Sequence, residues 1–324
     1  MHRKNLLKIT LSFLSIFVIL ELNMIPLATG RNTNYDAQEQ DINNNISNMV
    51  VVDKNGHGDY IKIQDAIDNA KGEDTIYIRS GEYREMLTIN KKINLVGENR
   101  ETTIINPTSE KNGYAIRIMA DGVTIDQLSI SNKGSGIYTT GVKIIAQQVT
   151  IKNCKLYSVP VGIALWSSNN IISNCIFWNC EDEGIAFLGS NNRHCSNNLV
   201  VDSTFYNNCD GIELQYSSDN IISNCEFYKN THAGIDAIGS SNSNNIVLNC
   251  NIYENEAFGI YLSSGSKYNT ISDCSISKNK DENIVMDGDQ SNNVVKNQRY
   301  GNSYAESHQS LRSFFIHLFL SFFK

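Results

Sequence analysis

Four carboxylates and one imidazole occupy related places in three successive segments of this sequence. Glu183 and Asp210 each precede a Gly-Ile pair, Glu213 and Asp236 each follow one, and His232 stands just before Ala233-Gly234-Ile235. If those segments stack, Glu213 and Asp236 come within ~5 Å of each other. Like charges that close raise one pKa, which is how a general acid is made. Paired carboxylates ~5–9 Å apart are also what glycoside hydrolysis uses. Glu183, Asp210, Glu213 and Asp236 are therefore the candidate catalytic groups. Trp166 and Tyr261 lie on flanking segments as sugar-stacking surfaces, and Arg193 and His194, in the long turn 189–198, can reach a carboxylated sugar. Gln215 and His232 complete the candidate substrate contacts. The plainer alternative is a solvated polar face, the ordinary fate of charged residues. His194, Cys195 and His232 are too few and too unpatterned for a metal centre, so neither a metal nor another cofactor is expected.

A repeat must position these groups. VGIALWSSNNIISNCIFWNC, DGIELQYSSDNIISNCEFYKN and FGIYLSSGSKYNTISDCSISKN share G-I-x-L, a polar turn, a short aliphatic strand beginning at Asn or Thr, and a Cys-containing second half. Gly162, Gly184, Gly211, Gly234 and Gly259 are 22, 27, 23 and 25 residues apart. A period of this size means one supersecondary unit stacked on itself. Earlier segments, at Ala115 and Gly141, align with it, which gives about nine coils from Thr75 to Asn302. Within G-I-x-L, alternation sends Ile and Leu inward and the residue between them outward. The outward row then runs Arg117, Lys143, Ala164, Ala186, Glu213, Asp236, Tyr261, Val285. Asn or Asp at 153, 174, 202, 224, 249, 273 and 297 forms a further row. These residues tolerate the left-handed backbone of a sharp corner.

Eight cysteines in an exported chain ordinarily suggest disulfides. Here Cys154, Cys175, Cys225, Cys250 and Cys274 share one slot, with Ser203 filling it once. Stacked neighbours ~4.8 Å apart point the same way, whereas a disulfide needs converging Cβ atoms ~3.8 Å apart. Small buried core residues are the simpler assignment. One bridge among Cys180, Cys195 and Cys209 stays open. The net charge of −7 argues against a general nucleic-acid binder, which needs a basic stripe.

The ends differ from the repeat. A basic start, an apolar run over Leu11–Leu20 and small residues before Gly30 make 1–30 a secretory signal, or else an uncleaved anchor. Residues 31–48 are an Asn- and Gln-rich linker. Apolar positions at Ile63, Ala66, Ile67 and Ala70 predict an amphipathic helix over Ile63–Ala70 that covers the first coil, with Gly72 in the C′ role. Residues 49–302 form the solenoid and 303–324 a tail. The tail's apolar segment Phe314–Phe323 is too short to span a membrane, so any membrane contact is expected only through the termini.

Leucine-rich repeats also have this period, but no L-x-x-L-x-L precedes the Asn-Cys pair and no helical return leg follows. Parallel strands stacked coil on coil fit better, so the fold class is all-β. The repeats resemble those of the NosD-like and CASH (carbohydrate-binding and sugar-hydrolase) right-handed parallel β-helix proteins of the pectin-lyase-like superfamily. The entry GDYIKIQDAIDNAKGEDTIYIRSGEYREMLTINKKINLVGE is similar to the N-terminal cap and first coil of that superfamily, pectin methylesterase-like proteins included. The resemblance covers roughly Val50 to Asn302. It implies the scaffold rather than the chemistry. The polygalacturonase segments N-T-D, D-D and R-I-K are absent, and Gly56-His57-Gly58 falls in the N-terminal turn instead of on a coil. The R-x-P-x-x-R of pectate lyases and the D-P-H of alginate epimerases are absent too, and no Lys or Arg row lies beside the acidic cluster. No catalytic residue is therefore carried over. The copper association that the NosD name implies finds little support in the residues.

Three functions stay open. The first is a secreted or cell-surface protein contacting a polysaccharide or cell-envelope glycan through one outward face. The second is a hydrolase, lyase or epimerase using the acidic cluster. The third is a structural surface module or a NosD-like accessory protein.

Overall fold

The computed structural model describes residues 49–239, 241–288 and 292–298. The expected signal segment 1–30, linker 31–48 and tail 303–324 lie outside the described residues. Among the described residues every strand pairing is parallel, in three long sheets of 11, 9 and 9 strands and one two-stranded pair, Cys195–Ser196 with Ser217–Ser218. Each full turn contributes one short strand to each sheet, so strands adjacent in a sheet are one coil apart in sequence. A further strand extends the first sheet at each end, Met49–Val52 and Val294–Lys296. The stack therefore slightly exceeds the nine coils counted in the sequence and comes to about ten turns.

From Gln148 to Lys278, three left-handed corners per turn bend the chain. Asn174, Asn179 and Asn197, at φ 50, 54 and 56°, mark the three corners of one turn. The expected Asn/Asp row is left-handed throughout, from Asn153 (φ 53°) to Asn297 (φ 53°). The other two rows include Lys229, Glu254 and Tyr268, types that gave no sequence signal.

Each left-handed residue turns the next side chain inward, where it joins a ladder. One ladder is the cysteine row. All eight cysteines are free, and those of the row are buried. Cys154 and Cys225 donate their thiol hydrogens to backbone carbonyls of Lys152 (3.1 Å) and Ser223 (3.2 Å). Ser203 keeps the row continuous by accepting the Cys175 N–H at 3.1 Å.

A second ladder, of asparagines, is bonded through its side chains. Asn220 Oδ1 accepts from Asn198 N (2.9 Å) and Nδ2 (3.0 Å), while Asn220 Nδ2 donates to Cys195 O (2.9 Å) and Asn245 Oδ1 (3.0 Å). Asn220 is fully buried, so Asn220→Ala leaves donors and an acceptor unsatisfied away from water. Its expected cost is about 3 kcal/mol in urea denaturation. A change below about 1 kcal/mol would show that the ladder contributes little.

Between the corners, alternation fills the core with Ile, Leu and a stack of Phe177, Phe205 and Phe227, whose ring centroids lie 4.6 and 4.7 Å apart. The glycine of each Gly-Ile answers a close approach. A Cβ on Gly211 would meet the Gly234 carbonyl oxygen at 2.5 Å and the Phe227 ring at 2.6 Å.

The helix is present as Ile63–Asn69, with Ile63, Ala66 and Ile67 buried against the first coil. Its end differs from expectation. Ala70 is the C-cap in extended conformation (φ −62°, ψ 148°), and the left-handed residue is Glu73 instead of Gly72. The reason is Lys91, whose ammonium bonds the carbonyls of Ile67, Asp68 and Ala70 at 3.3, 2.6 and 2.9 Å. A glycine cap is not needed where a cation already satisfies the last carbonyls. Among the described residues, no helix is long and apolar enough to cross a membrane.

Candidate functional site

The acidic residues sit on the third sheet, on the strands Glu183–Leu188, Asp210–Gln215 and Ala233–Ile238. Register pairs Glu183 with Asp210, Ala186 with Glu213, Glu213 with Asp236, and Asp236 with Tyr261. The outward row expected from the repeat is therefore real, and Glu213 and Asp236 are direct neighbours.

Burial is what the row did not reveal. Glu183, Asp210 and Asp236 are 7, 5 and 4% exposed, and Glu213 is half-buried. Burial and then the Glu213 charge push the Glu183 carboxyl up to about 8. Burial and the Asp236 charge push Glu213 up to about 7, and burial with the Asp210 charge does the same to Asp236. Asp210 is raised by burial but held down in part by His232. The group can thus hold protons at neutral pH and exchange them, as acid–base chemistry requires.

One imidazole organises the deepest part. His232 Nδ1 lies 2.9 Å from Asp210 Oδ1 and 3.6 Å from Asp236 Oδ2. Asp210 Oδ1 also accepts the Ala233 N–H at 2.8 Å. Asp236 Oδ1 is buried with no hydrogen-bond partner. Asp210, His232 and Asp236 each offer one ligand atom within 4.8 Å of the other two. No metal centre was expected from the sequence, which considered His194, Cys195 and His232. The structure instead joins His232 to two carboxylates, while His194 packs edge-on against Tyr216 with ring centroids 6.4 Å apart.

The other expected contact residues have engagements of their own. Trp166 carries the Lys143 ammonium 5.8 Å and the Arg193 guanidinium 6.0 Å from its ring centre, so these cations compete with a sugar for its faces. The Tyr261 hydroxyl donates to Asp287, and its ring packs against Phe258. Gln215 pairs in register with Leu188 and Ile238, on the strand that carries Glu213. Asp182, read in the sequence only as a turn residue, adds its charge to those raising Glu183.

An outer aromatic ladder on the second sheet escaped the sequence reading. Tyr157, Trp178, Tyr206, Tyr228 and Tyr253 stack with successive centroid separations of 6.1, 6.2, 5.1 and 5.3 Å. Its signal was the aromatic residue that follows each inward Leu, Phe or Ile at the coil period. The rings cover one another's faces, so most of them present edges rather than faces to solvent.

Comparison with known proteins fits this architecture. The family described as "Periplasmic copper-binding protein (NosD)" matches residues 67–250 and 120–310. The chain belongs to the NosD family. Among curated proteins it is 28% identical over 165 residues to "Probable pectinesterase/pectinesterase inhibitor 17" of Arabidopsis thaliana. That match spans 49% of this NosD-family chain and 27% of the relative's length. Among solved structures, the pectate lyase Pel9A superimposes with a TM-score of 0.57 at 13% identity, over 80% of this chain and 81% of that one. ORF18 of Geobacillus virus E2 gives 0.52 at 18% identity, over 74% and 58%. At such identities the structural matches establish the parallel β-helix fold and nothing finer.

The family description raises the question of copper. Cuprous ion favours soft thiolate and thioether ligands. Cys154 and Cys250 are buried in the core, and both donate their thiol hydrogens to backbone carbonyls of their own coil. The cysteine ladder of this NosD-family protein thus does not fit a cuprous thiolate site. Asp210, His232 and Asp236 supply two oxygens and one nitrogen, a donor set that suits a divalent ion.

Proposed function

We propose that this NosD-family protein works outside the cytoplasm, contacts a polysaccharide along the outer face of its third sheet, and acts on it by acid–base chemistry. One observation carries this. Three adjacent strands place Glu183, Asp210, Glu213 and Asp236 side by side on one face, in a register that stacking holds rigid. Carboxylates on neighbouring strands are the groups that glycosidic-bond chemistry uses. Glu183 and Glu213 are assigned the acid and base roles, with Asp210 and Asp236 beside them. Arg193, Gln215, Trp166 and Tyr261 lie on the flanks as substrate contacts. The names of the pectinesterase relative and the pectate lyase neighbour support a polysaccharide as the ligand class. The periplasmic character of the family supports export.

The test is turnover on a panel of neutral and uronate-containing polysaccharides, followed by reducing-end release and by absorbance of unsaturated products. Glu213→Gln and Glu183→Gln keep the side-chain volume and are expected to lose ~10²–10⁴-fold in rate. Binding without turnover that survives both changes would reduce the function to glycan contact. Neither binding nor turnover on any polysaccharide would overturn the proposal.

A further inference from the structure

We propose that Asp210, His232 and Asp236 form a site for one divalent first-row cation, held by two carboxylate oxygens and the imidazole Nδ1. The site goes beyond the glycan reading and does not depend on it.

Three observations converge on it. The first is geometry. Donor atoms bound at ~2.0–2.2 Å to one ion lie roughly 3–4 Å from each other. His232 Nδ1 stands 2.9 Å from Asp210 Oδ1 and 3.6 Å from Asp236 Oδ2. Small side-chain adjustments then place one ion within reach of all three. The second is an orphaned atom. Asp236 is 4% exposed, yet its Oδ1 has no hydrogen-bond partner. A cation that takes Asp236 through both oxygens, or through Oδ1 after a turn of the carboxylate, would recover the free energy that this unpartnered oxygen costs. The third is charge. Glu183, Asp210, Glu213 and Asp236 adjoin one another in register. Among the described residues, His232 is the one ion-pair partner of Asp210 and Asp236. A divalent ion would take the place of the protons that these crowded carboxyls otherwise retain, and would let them ionise.

The ligand chemistry also selects the class of ion. Carboxylate oxygen suits hard ions, and imidazole suits borderline first-row ions such as zinc, manganese and the cupric ion. Cuprous ion is disfavoured, because no sulfur atom belongs to the set. The strands hold Asp210 and Asp236 one coil apart, and His232 enters from the corner that precedes the second of them. The site therefore needs the stacked coils, since no short sequence motif contains all of its ligands.

The experiment uses the full chain stripped with EDTA and then dialysed. Manganese, zinc and cupric ions are titrated separately with no glycan present, and cuprous ion is titrated under reducing, anaerobic conditions. Binding is read by calorimetry, by melting temperature and, for manganese, by loss of the free-ion EPR signal. One equivalent of divalent ion is expected to bind, with a melting-temperature rise of about 5 °C at ~100-fold excess over Kd. Affinity is expected to follow the Irving–Williams order, with cupric ion tightest. Asp236→Asn and His232→Ala are each expected to weaken binding at least ~10-fold, in line with the loss of a ligand. The melting temperatures of the stripped variants show directly that they are folded. Divalent binding absent from the wild type, or unchanged in both variants, overturns the proposal. Binding of cuprous ion alone also overturns it. Cation binding with no activity on any polysaccharide would defeat the glycan reading and leave this site standing; the converse result would do the opposite.

Discussion

Phe205→Ala is expected to lower the unfolding free energy by about 3–5 kcal/mol, among the largest effects of any single truncation in this chain. Phe205 is fully buried in the middle of a stack, with Phe177 below it at 4.6 Å and Phe227 above at 4.7 Å between ring centroids. Truncation removes ring-on-ring contact on both faces and leaves a cavity that neighbouring coils cannot close. Their spacing is set by backbone hydrogen bonds such as Thr204 N to Cys175 O at 2.9 Å. A solenoid coil touches only its neighbours, so the loss concentrates in the coils on either side. Those coils carry the acidic cluster, which sits on the strands Glu183–Leu188, Asp210–Gln215 and Ala233–Ile238. Urea denaturation measures the total, and amide hydrogen exchange locates it. Increased exchange confined to the neighbouring coils is expected. A loss below about 1 kcal/mol would mean that the stack adds little to ordinary aliphatic packing.

Removing protons from the acidic cluster should destabilise the metal-free protein. Glu183 stands at about 8 against an ordinary value of 4.5, and Glu213 at about 7 against 4.5. Asp236 stands at about 7 against 3.8. Each folded-state pKa is raised above its unfolded value, so between the two the native state binds more protons than the unfolded chain. Stability then falls as pH rises. The contribution is largest below about pH 4 and is lost progressively until pH passes about 8. A group shifted by about three units corresponds to on the order of 4 kcal/mol between the ends of that window. Denaturation midpoints in EDTA at pH 5, 6, 7 and 8 should therefore decline steadily. Glu213→Gln should flatten the decline and raise the midpoint at pH 8, because it removes a charge that opposes Glu183 and Asp236. A midpoint that rises with pH across this range would contradict the burial assigned to these carboxyls.

Much of the fold was legible because it is written in periods. Gly-Ile at 22 to 27 residue intervals set the coils, and alternation within G-I-x-L sorted inward from outward side chains. The register pairs Lys143–Ala164, Glu213–Asp236 and Asp236–Tyr261 follow from that count. The left-handed corners at Asn153, Asn174 and Asn224 were legible because Asn tolerates that backbone. The corners at Lys229, Glu254 and Tyr268 were not, because stacking on neighbouring coils forces the conformation whatever the residue. The helix ends before the expected Gly72 for a similar reason. The group that satisfies its last carbonyls, Lys91, is 21 residues from Ala70 and comes near only after the first coil closes.

The sequence alone determined which residues share a face. Strand periodicity is local, and every coil repeats it, so the row holding Glu213 and Asp236 could be written down without coordinates. Only the tertiary structure decided what that row is like as a chemical environment. Desolvation of Glu183 and Asp236, the approach of His232 to Asp210, and the unpartnered oxygen of Asp236 all depend on how coils and corners pack in three dimensions. Charge and proton affinity respond to distance and burial, neither of which is a property of spacing along the chain.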